Sequence, residues 1–295
     1  MDIEVLLDCH ATIGESPTWS PTEGAIYWID VKEPALHRLD REGTVRSWQL
    51  ESDVGAFALT DGPPGAVVAL RTGLFDLNLE TGQADLLAPP PFNPDLFRFN
   101  EGICDAQGRF WVGVMFDPRP GNPAPAATAP LHCFTRARGL VAEPDTAELH
   151  NGAAWSPDGR TFILAHSNQG KIYRRSYDPH TGRIGPGQLF VSVAAAEGLP
   201  DGAAVDEEGC YWCAIHGGSA LHRYDLRSRR LIGTVDLPVS QPTMCAFVGD
   251  ALDEMVVTSA ADKLTPGQLS REPLAGGLLH LRPGVRGIPR PCTVR

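Results

Sequence analysis

The sequence has no apolar run approaching the roughly 20 residues that a membrane-spanning helix requires. Its opening residues, MDIEVLLDCH, lack the basic stretch and small-residue cleavage site of a secretory leader. A soluble, cytoplasmic protein without a membrane partner is the expectation. Basic residues are outnumbered by acidic ones, 25 to 36, which gives a formal net charge of −11, and no Lys/Arg run or low-complexity tail is present. That balance argues against nucleic acid or an anionic membrane as partner. Convincing amphipathic helices are missing. So are a G-x-S-x-G elbow, a P-loop, a G-x-G-x-x-G after a strand, and an H-E-x-x-H, so no motif points to a nucleophile, a nucleotide or a zinc-protease centre.

The seven cysteines are an odd number in a chain without a leader, which fits a reducing compartment. Cys210 and Cys213 form a C-x-x-C, a spacing known from zinc and redox sites. Both lie in the strand-like run CYWCAIH, however, where residues three apart point to opposite faces.

Glycine (31) and proline (26) are plentiful and scattered, as expected of many short strands joined by turns. Most apolar segments span only a few residues and alternate. IYWIDV (26–31), AVVALR (66–71), RFWVGVM (109–115), TFILAHS (161–167), CYWCAIH (210–216) and EMVVTSA (254–260) read as strands. Each follows a turn signal: SPTEG, TDGPPG, DAQG, SPDG, DEEG and GDALD. The turns recur at roughly 40–50 residues, the period of a four-stranded propeller blade. Outer strand pairs lie between them, such as LHRLD with TVRSWQL and KIYRRSYD with GQLFVSV. The expectation is all-β: a six-bladed β-propeller forming one closed domain over residues 1–295. Its last blade has inner strands within about 242–282 and borrows its outer strand from IEVLLD, residues 3–8. A β-sandwich or a two-domain α/β chain would not predict six evenly spaced turns.

The copies can be aligned on the residue that opens each turn: Ser20, Thr60, Asp105, Ser156 and Asp206. Five residues earlier stand Glu15, Gly55, Asn100, Asn151 and Asp201, and the sixth repeat lands near Met244 or Cys245. First strands of propeller blades line the central channel, so these positions should form one ring. Four of the six carry side-chain oxygens, a composition suited to a hard cation such as Ca2+, Mg2+, Mn2+ or Fe2+. The competing reading is local, because Asn and Asp before Gly also start turns. Glu15 has no evident turn role. Second strands run back toward the same face. Their ends, Asp30, Phe116–Asp117, His166–Ser167 and His216, should therefore surround the mouth, together with Arg98. His166 and His216 admit two readings, a hydrogen-bonded strand-end histidine or a substrate contact. The Pro- and Ala-rich stretch 116–130 begins at the mouth and has the length of a lid or flap. With no nucleophile motif, metal-assisted hydrolysis is the natural enzymatic expectation.

GESPTW, RFNEG, HNGAAWSPDGRT, LPDGAAVDEEG, QPTMCAF, TSA and PLAGGL together resemble the SMP-30/gluconolactonase (regucalcin-like) family, from Ile13 to about Leu279. The resemblance implies a six-bladed propeller with one divalent cation in its central channel, and hydrolysis of sugar lactones. It implies Glu15, Asn151 and Asp201 as metal ligands, with Arg98 and Asn100 contacting substrate beside the metal. Two positions depart from the commoner family pattern: Glu101, where Asp is frequent, and His216, where Trp is frequent in bacterial members.

The expected activity is hydrolysis of an aldonolactone to the aldonic acid. Asp201 both ligates the cation and helps deprotonate water, while Glu101, Asp117, His166 and His216 shape selectivity. Ca2+, Mn2+, Zn2+ and Fe2+ all suit such a donor set, and gluconolactone, xylonolactone and arabinolactone would all fit a small polar mouth. A non-enzymatic calcium-binding regulatory protein, and another hydrolase of phosphotriesterase type, are the alternatives on the same fold. A propeller serving only as a docking surface would have no need of the in-register polar residues.

Overall fold

The structure is a computed structural model that describes residues 2–291 and 293–294, with Thr293 as backbone only. It is a six-bladed β-propeller, with six sheets of four or five strands arranged in a ring, antiparallel except where Thr293–Val294 pairs parallel with Leu59–Thr60. The innermost strands are Gly14–Ser20, Val54–Thr60, Phe97–Cys104, His150–Trp155, Leu199–Val205 and Pro242–Val248. Each is joined to its second strand at one of the six turns identified in the sequence.

The turn chemistry is visible at Asp105. Its Oδ1 accepts the backbone N–H groups of Gln107 (2.9 Å) and Arg109 (3.0 Å), while Gly108 takes the left-handed conformation at φ 76°. Asp206 does the same in the fifth blade. Its Oδ1 accepts Cys210 N–H at 2.8 Å, and its Oδ2 accepts the Trp212 indole N–H and the Arg223 guanidinium. The turn residue thus also pins the aromatic of the second strand.

Apolar packing lies between neighbouring blades. Tyr27, Ile29 and Leu36 of the first blade meet Phe57, Val68 and Leu70 of the second. Ala56, Val67 and Leu74 on the other face of the second blade meet Phe99, Phe110 and Val112 of the third. Sheets covered on both faces explain why the second strands read as nearly continuous apolar runs.

Every innermost strand carries a register shift near its mouth end: Glu15/Thr18, Val54/Ala56, Asn100/Gly102, Asn151/Ala154, Pro200/Ala203 and Pro242/Met244. Such bulges bend a strand and redirect a side chain. Ser16 (φ 54°), Glu101 (φ 48°) and Gly152 (φ 61°) take left-handed conformations there. The second blade has Gly55 at this position for a steric reason, since a Cβ would sit 2.0 Å from the Phe99 carbonyl oxygen. In the sixth blade the ring position is Thr243, and not Met244 or Cys245, whose side chains are fully buried in the interior. The turn-opening position of that blade is the apolar Val248, paired with Glu254, so counting from the polar GDALD overshoots.

Ile3–Leu7 pairs antiparallel with Leu278–Leu281 and forms the outer strand of the sixth blade. One helical turn, Pro266–Leu269, is capped by Thr265 and Gln268. Among the described residues no helix is long and apolar enough to cross a membrane. Cys210 and Cys213 are free thiols.

Candidate active site

The mouth ends of the innermost strands surround a cavity of about 360 Å³, the size of a small-molecule site. Glu15, Asn100, Asn151, Asp201 and Thr243 contribute from the ring, and Arg98 from just above it. Asp117, Ser167 and His216 return from second-strand ends, as antiparallel pairing predicts.

The Asn151 amide is oriented by both of its neighbours. Ser167 Oγ donates to the Pro200 carbonyl at 2.6 Å, so it accepts from Asn151 Nδ2 at 2.9 Å. On the other side Arg98, which can only donate, faces Asn100 Oδ1 at 2.7 Å. That turns Asn100 Nδ2 toward Asn151 Oδ1 (2.6 Å) and the His150 carbonyl (2.9 Å). One lone pair of Asn151 Oδ1 is left for a further partner.

Glu15 and Asp201 are buried carboxyls held above the usual carboxylate range. Burial is the main cause for both. Glu101's charge adds to it at Glu15, and the charges of Glu15 and Glu101 add to it at Asp201. Such a pair is short of positive charge. Two carboxylates and a carboxamide oxygen form the donor set of a hard cation, so these residues fit one.

Arg98 is buried. Besides Asn100 it bonds the Phe99 carbonyl, the Met115 sulfur and Asp117 Oδ2 (3.1 Å). Asp117 Oδ2 also accepts from Lys32 Nζ (2.8 Å) and Arg71 Nη2 (2.5 Å), and Asp53 bridges the same two cations. Burial alone would raise the Asp117 carboxyl, but Arg98, Lys32 and Arg71 hold it down to about 2. His216 lines the cavity, where burial lowers its pKa against a hydrogen bond to Gln241.

Three residues expected at the mouth are placed elsewhere. His166 directs Nε2 to Asp145 Oδ1 at 2.8 Å, beside His150 at 3.2 Å, while Arg175 pairs with the other carboxylate oxygen. His166 forms a cross-strand pair with His150, so both rings lie on one face of the sheet, and Ser167 is the neighbour that turns to the cavity. Asp145, His150 and His166 come close enough to hold an ion. Arg175 already neutralises that carboxylate, and we read the group as a closed network. Glu101, at the bulge, points away from the cavity and accepts the N–H groups of Gly152 (2.7 Å) and Ala153 (2.6 Å), bolting the third blade to the fourth directly behind Asn151. Asp30 accepts backbone N–H groups from Thr12, Ile13, Lys32 and Glu33. Of the stretch 116–130, Asp117 alone lines the cavity, and the chain beyond it is tied by Arg119 N–H to the Asp95 carbonyl.

The sequence matches the SMP-30/Gluconolactonase/LRE-like region over residues 13–261. The chain belongs to this family. It is 34% identical to a 6-deoxy-6-sulfogluconolactonase from Pseudomonas putida, over 95% of this chain and 94% of that protein. It is 31% identical to regucalcin from Xenopus laevis, over 97% and 96%. A crystal structure of the calcium-binding protein regucalcin from Agrobacterium tumefaciens superposes with a TM-score of 0.89 at 26% identity, covering 99% of this chain and 96% of that one.

Of the two departures from the commoner pattern of the SMP-30/gluconolactonase family, Glu101 lies behind the cavity and His216 on its edge. Lys32, Asn168, Gln241, Thr243, Asp262 and Lys263 also line the cavity but were not singled out from the sequence. Lys32 could have been found, because it stands two residues past Asp30, just beyond a second-strand end. Asp262 and Lys263 lie in an irregular connection that carries no period.

Proposed function

We propose that the protein hydrolyses a sugar lactone to the aldonic acid at a centre where Glu15, Asn151 and Asp201 hold one divalent cation. The observation that carries this reading is the convergence of two charge-starved carboxyls and one oriented amide oxygen on a cavity large enough for a monosaccharide lactone. The activity named for the Pseudomonas putida relative supports the substrate class.

When bound, the cation supplies Lewis-acid polarisation of the ester carbonyl and balances the negative charge that develops there. Asp201 takes a proton from the attacking water as its oxygen bonds to the carbonyl carbon. The ring C–O bond then breaks, and the ring oxygen leaves as a hydroxyl by taking the proton that Asp201 accepted. Arg98 fixes Asn100, and Asn100 fixes Asn151. His216, Lys32 and Asp117 line the same cavity and shape which sugar fits.

A pH-stat assay on gluconolactone, its 6-sulfonated analogue, xylonolactone and arabinolactone tests the reading. Activity should vanish on treatment with a chelator and return with a divalent ion, and Asp201→Asn should abolish it. Turnover indifferent to both would refute the mechanism. Stoichiometric ion binding without turnover on any lactone would favour the calcium-binding alternative.

A further inference from the structure

The rim of the cavity carries a charge opposite to that of the whole chain. Acidic residues outnumber basic ones overall, 36 to 25. Around the cavity the balance reverses once a divalent ion matches Glu15 and Asp201. Three cations, Lys32, Arg98 and Lys263, then face two carboxylates, Asp117 and Asp262. Arg71 and Asp53 pair with each other at 2.7 Å beside Lys32 and leave that count unchanged. A mouth of one sign on a chain of the other draws in ligands of the opposite charge.

The two lysines sit on neighbouring blades. Lys32 follows the second strand of the first blade, Ala25–Asp30, and Lys263 follows that of the sixth, Glu254–Ser259. The innermost strands of these blades are joined by the Thr243 hydroxyl, which donates to the Gly14 carbonyl at 2.5 Å. Both side chains therefore border one sector of the mouth. Lys32 Nζ commits two donors, to Asp53 (3.0 Å) and Asp117 (2.8 Å), and keeps a third. Lys263 is 89% exposed, and its only ion pair among the described residues is a 3.5 Å contact with Asp262.

The backbone that presents Lys263 is held in place. The N–H groups of Ala261 and Asp262 both donate to the Thr12 carbonyl at 3.0 Å, and Leu264 N–H donates to the Ala261 carbonyl at 3.2 Å. Gln241 Nε2 donates to the Asp262 carbonyl at 3.3 Å. Fixed in this way, Lys263 takes a left-handed conformation at φ 60°, which glycine adopts freely and lysine rarely does. Backbone strain of this kind is characteristic of functional positions.

We propose that the mouth selects sugar lactones bearing a fixed negative charge, a sulfonate, phosphate or carboxylate remote from the ester, and that Lys263, with Lys32 beside it, recognises that group. This rests on the reading of the cavity as a lactone site. The competing account is that the lysines serve only the carboxylate that every lactone yields on hydrolysis. They would then be indifferent to the charge of the substrate.

The test is kcat/KM on glucono-1,5-lactone and on its counterparts with a sulfonate, a phosphate or a carboxylate at carbon 6. At least one anionic counterpart should exceed the neutral lactone by about tenfold, and the one that leads identifies the group. The margin should shrink as salt rises from about 0.05 to about 0.5 M. Lys263→Gln should raise KM for the preferred anion about fivefold more than for the neutral lactone, and Lys263→Arg should keep the preference. A wild type without anionic preference, or a Lys263→Gln loss shared equally by neutral and anionic lactones, overturns the inference. Absence of turnover on every lactone would instead remove the lactonase reading. Charge selection is then judged by calorimetric titration with glucose, glucose 6-phosphate and 6-deoxy-6-sulfoglucose. Tighter binding of an anion, lost in Lys263→Gln, sustains it, and equal or undetectable binding overturns it.

Discussion

The Asn100 amide donates to the Asn151 side-chain oxygen at 2.6 Å, across the gap between the third and fourth blades. Neither residue is free to turn over. Arg98 can only donate to Asn100, and Ser167 has committed its hydroxyl proton to the Pro200 carbonyl. The direction of both amides is therefore set from the two ends of a chain that links three blades. A carboxamide is a poor ligand if it presents nitrogen, so this chain decides whether Asn151 serves a cation at all.

Ser167→Ala should expose that dependence. The variant removes the acceptor for Asn151 Nδ2 while leaving the cavity open, and outer partners of metal ligands typically contribute 10–100-fold in affinity or activity. We expect divalent-ion affinity to fall by about tenfold or more with little change in the Tm of stripped protein, read by titration and by thermal melts with and without ion. Wild-type affinity in this variant would show that the Asn151 amide is oriented by something other than Ser167.

Asp117→Asn should act through charge. Three cations meet at one Asp117 oxygen, and Arg71 and Arg98 are nearly inaccessible. Breaking a buried pair costs about 3–5 kcal/mol. Asp117 keeps about a quarter of its side chain exposed, so we expect roughly 2–3 kcal/mol after that discount, measured by urea denaturation. KM should rise as well, because Arg98 loses the partner that holds it above Asn100. A loss below about 0.5 kcal/mol would mean that Asp53 alone sustains the network.

The ring of blades was legible because one device is used six times: an innermost strand, a polar turn and an apolar second strand. Where the sixth copy replaces the polar turn-opener with Val248, the register slipped by one or two residues and Thr243 was missed. The ring positions Glu15, Asn151 and Asp201 could be read because they precede that turn at fixed spacing. His166 and Glu101 were misplaced for a different reason. Spacing locates the backbone of a strand end or bulge, but the face its side chain takes depends on the cross-strand partner and on backbone twist. The C-terminal tail, whose Thr293–Val294 pairs parallel with Leu59–Thr60, has no repeat partner, and its place could not be read from periodicity.

Gly55→Ala tests the steric account of the one ring position without a side chain. A Cβ there would lie 2.0 Å from the Phe99 carbonyl oxygen and 2.8 Å from the Asn100 backbone nitrogen. Those are backbone atoms of the neighbouring inner strand and cannot swing aside. We expect a cost of about 3 kcal/mol or more, seen as a lowered urea midpoint, together with weaker ion binding because the displaced strand carries Asn100. A variant as stable as wild type would show that the second and third blades can separate without penalty.

Acid should destabilise the ion-loaded protein in a defined window. Burial lowers His132 to about 4, assisted by the charge of His150, and lowers His150 to about 3, assisted by the charge of His166. In the unfolded chain both titrate near 6.5. Below that pH the unfolded state binds protons that the folded state refuses, so stability falls as pH drops toward 4, by about 1.4 kcal/mol per unit for each histidine. Asp117, held down to about 2, adds stability that is present above roughly 4 and lost as pH falls through 2. Glu101 has the opposite sign in ion-free protein. Burial raises it to about 7, so its contribution is lost as pH rises from roughly 4.3 toward 7. Ion-free protein should therefore show a flatter Tm profile between pH 4.5 and 6.5 than loaded protein, in which the cation favours ionised carboxylates. Melts across that range with and without chelator measure the difference, and His132→Gln should remove part of the acid slope in both. An unchanged slope in His132→Gln would assign the acid sensitivity to other groups.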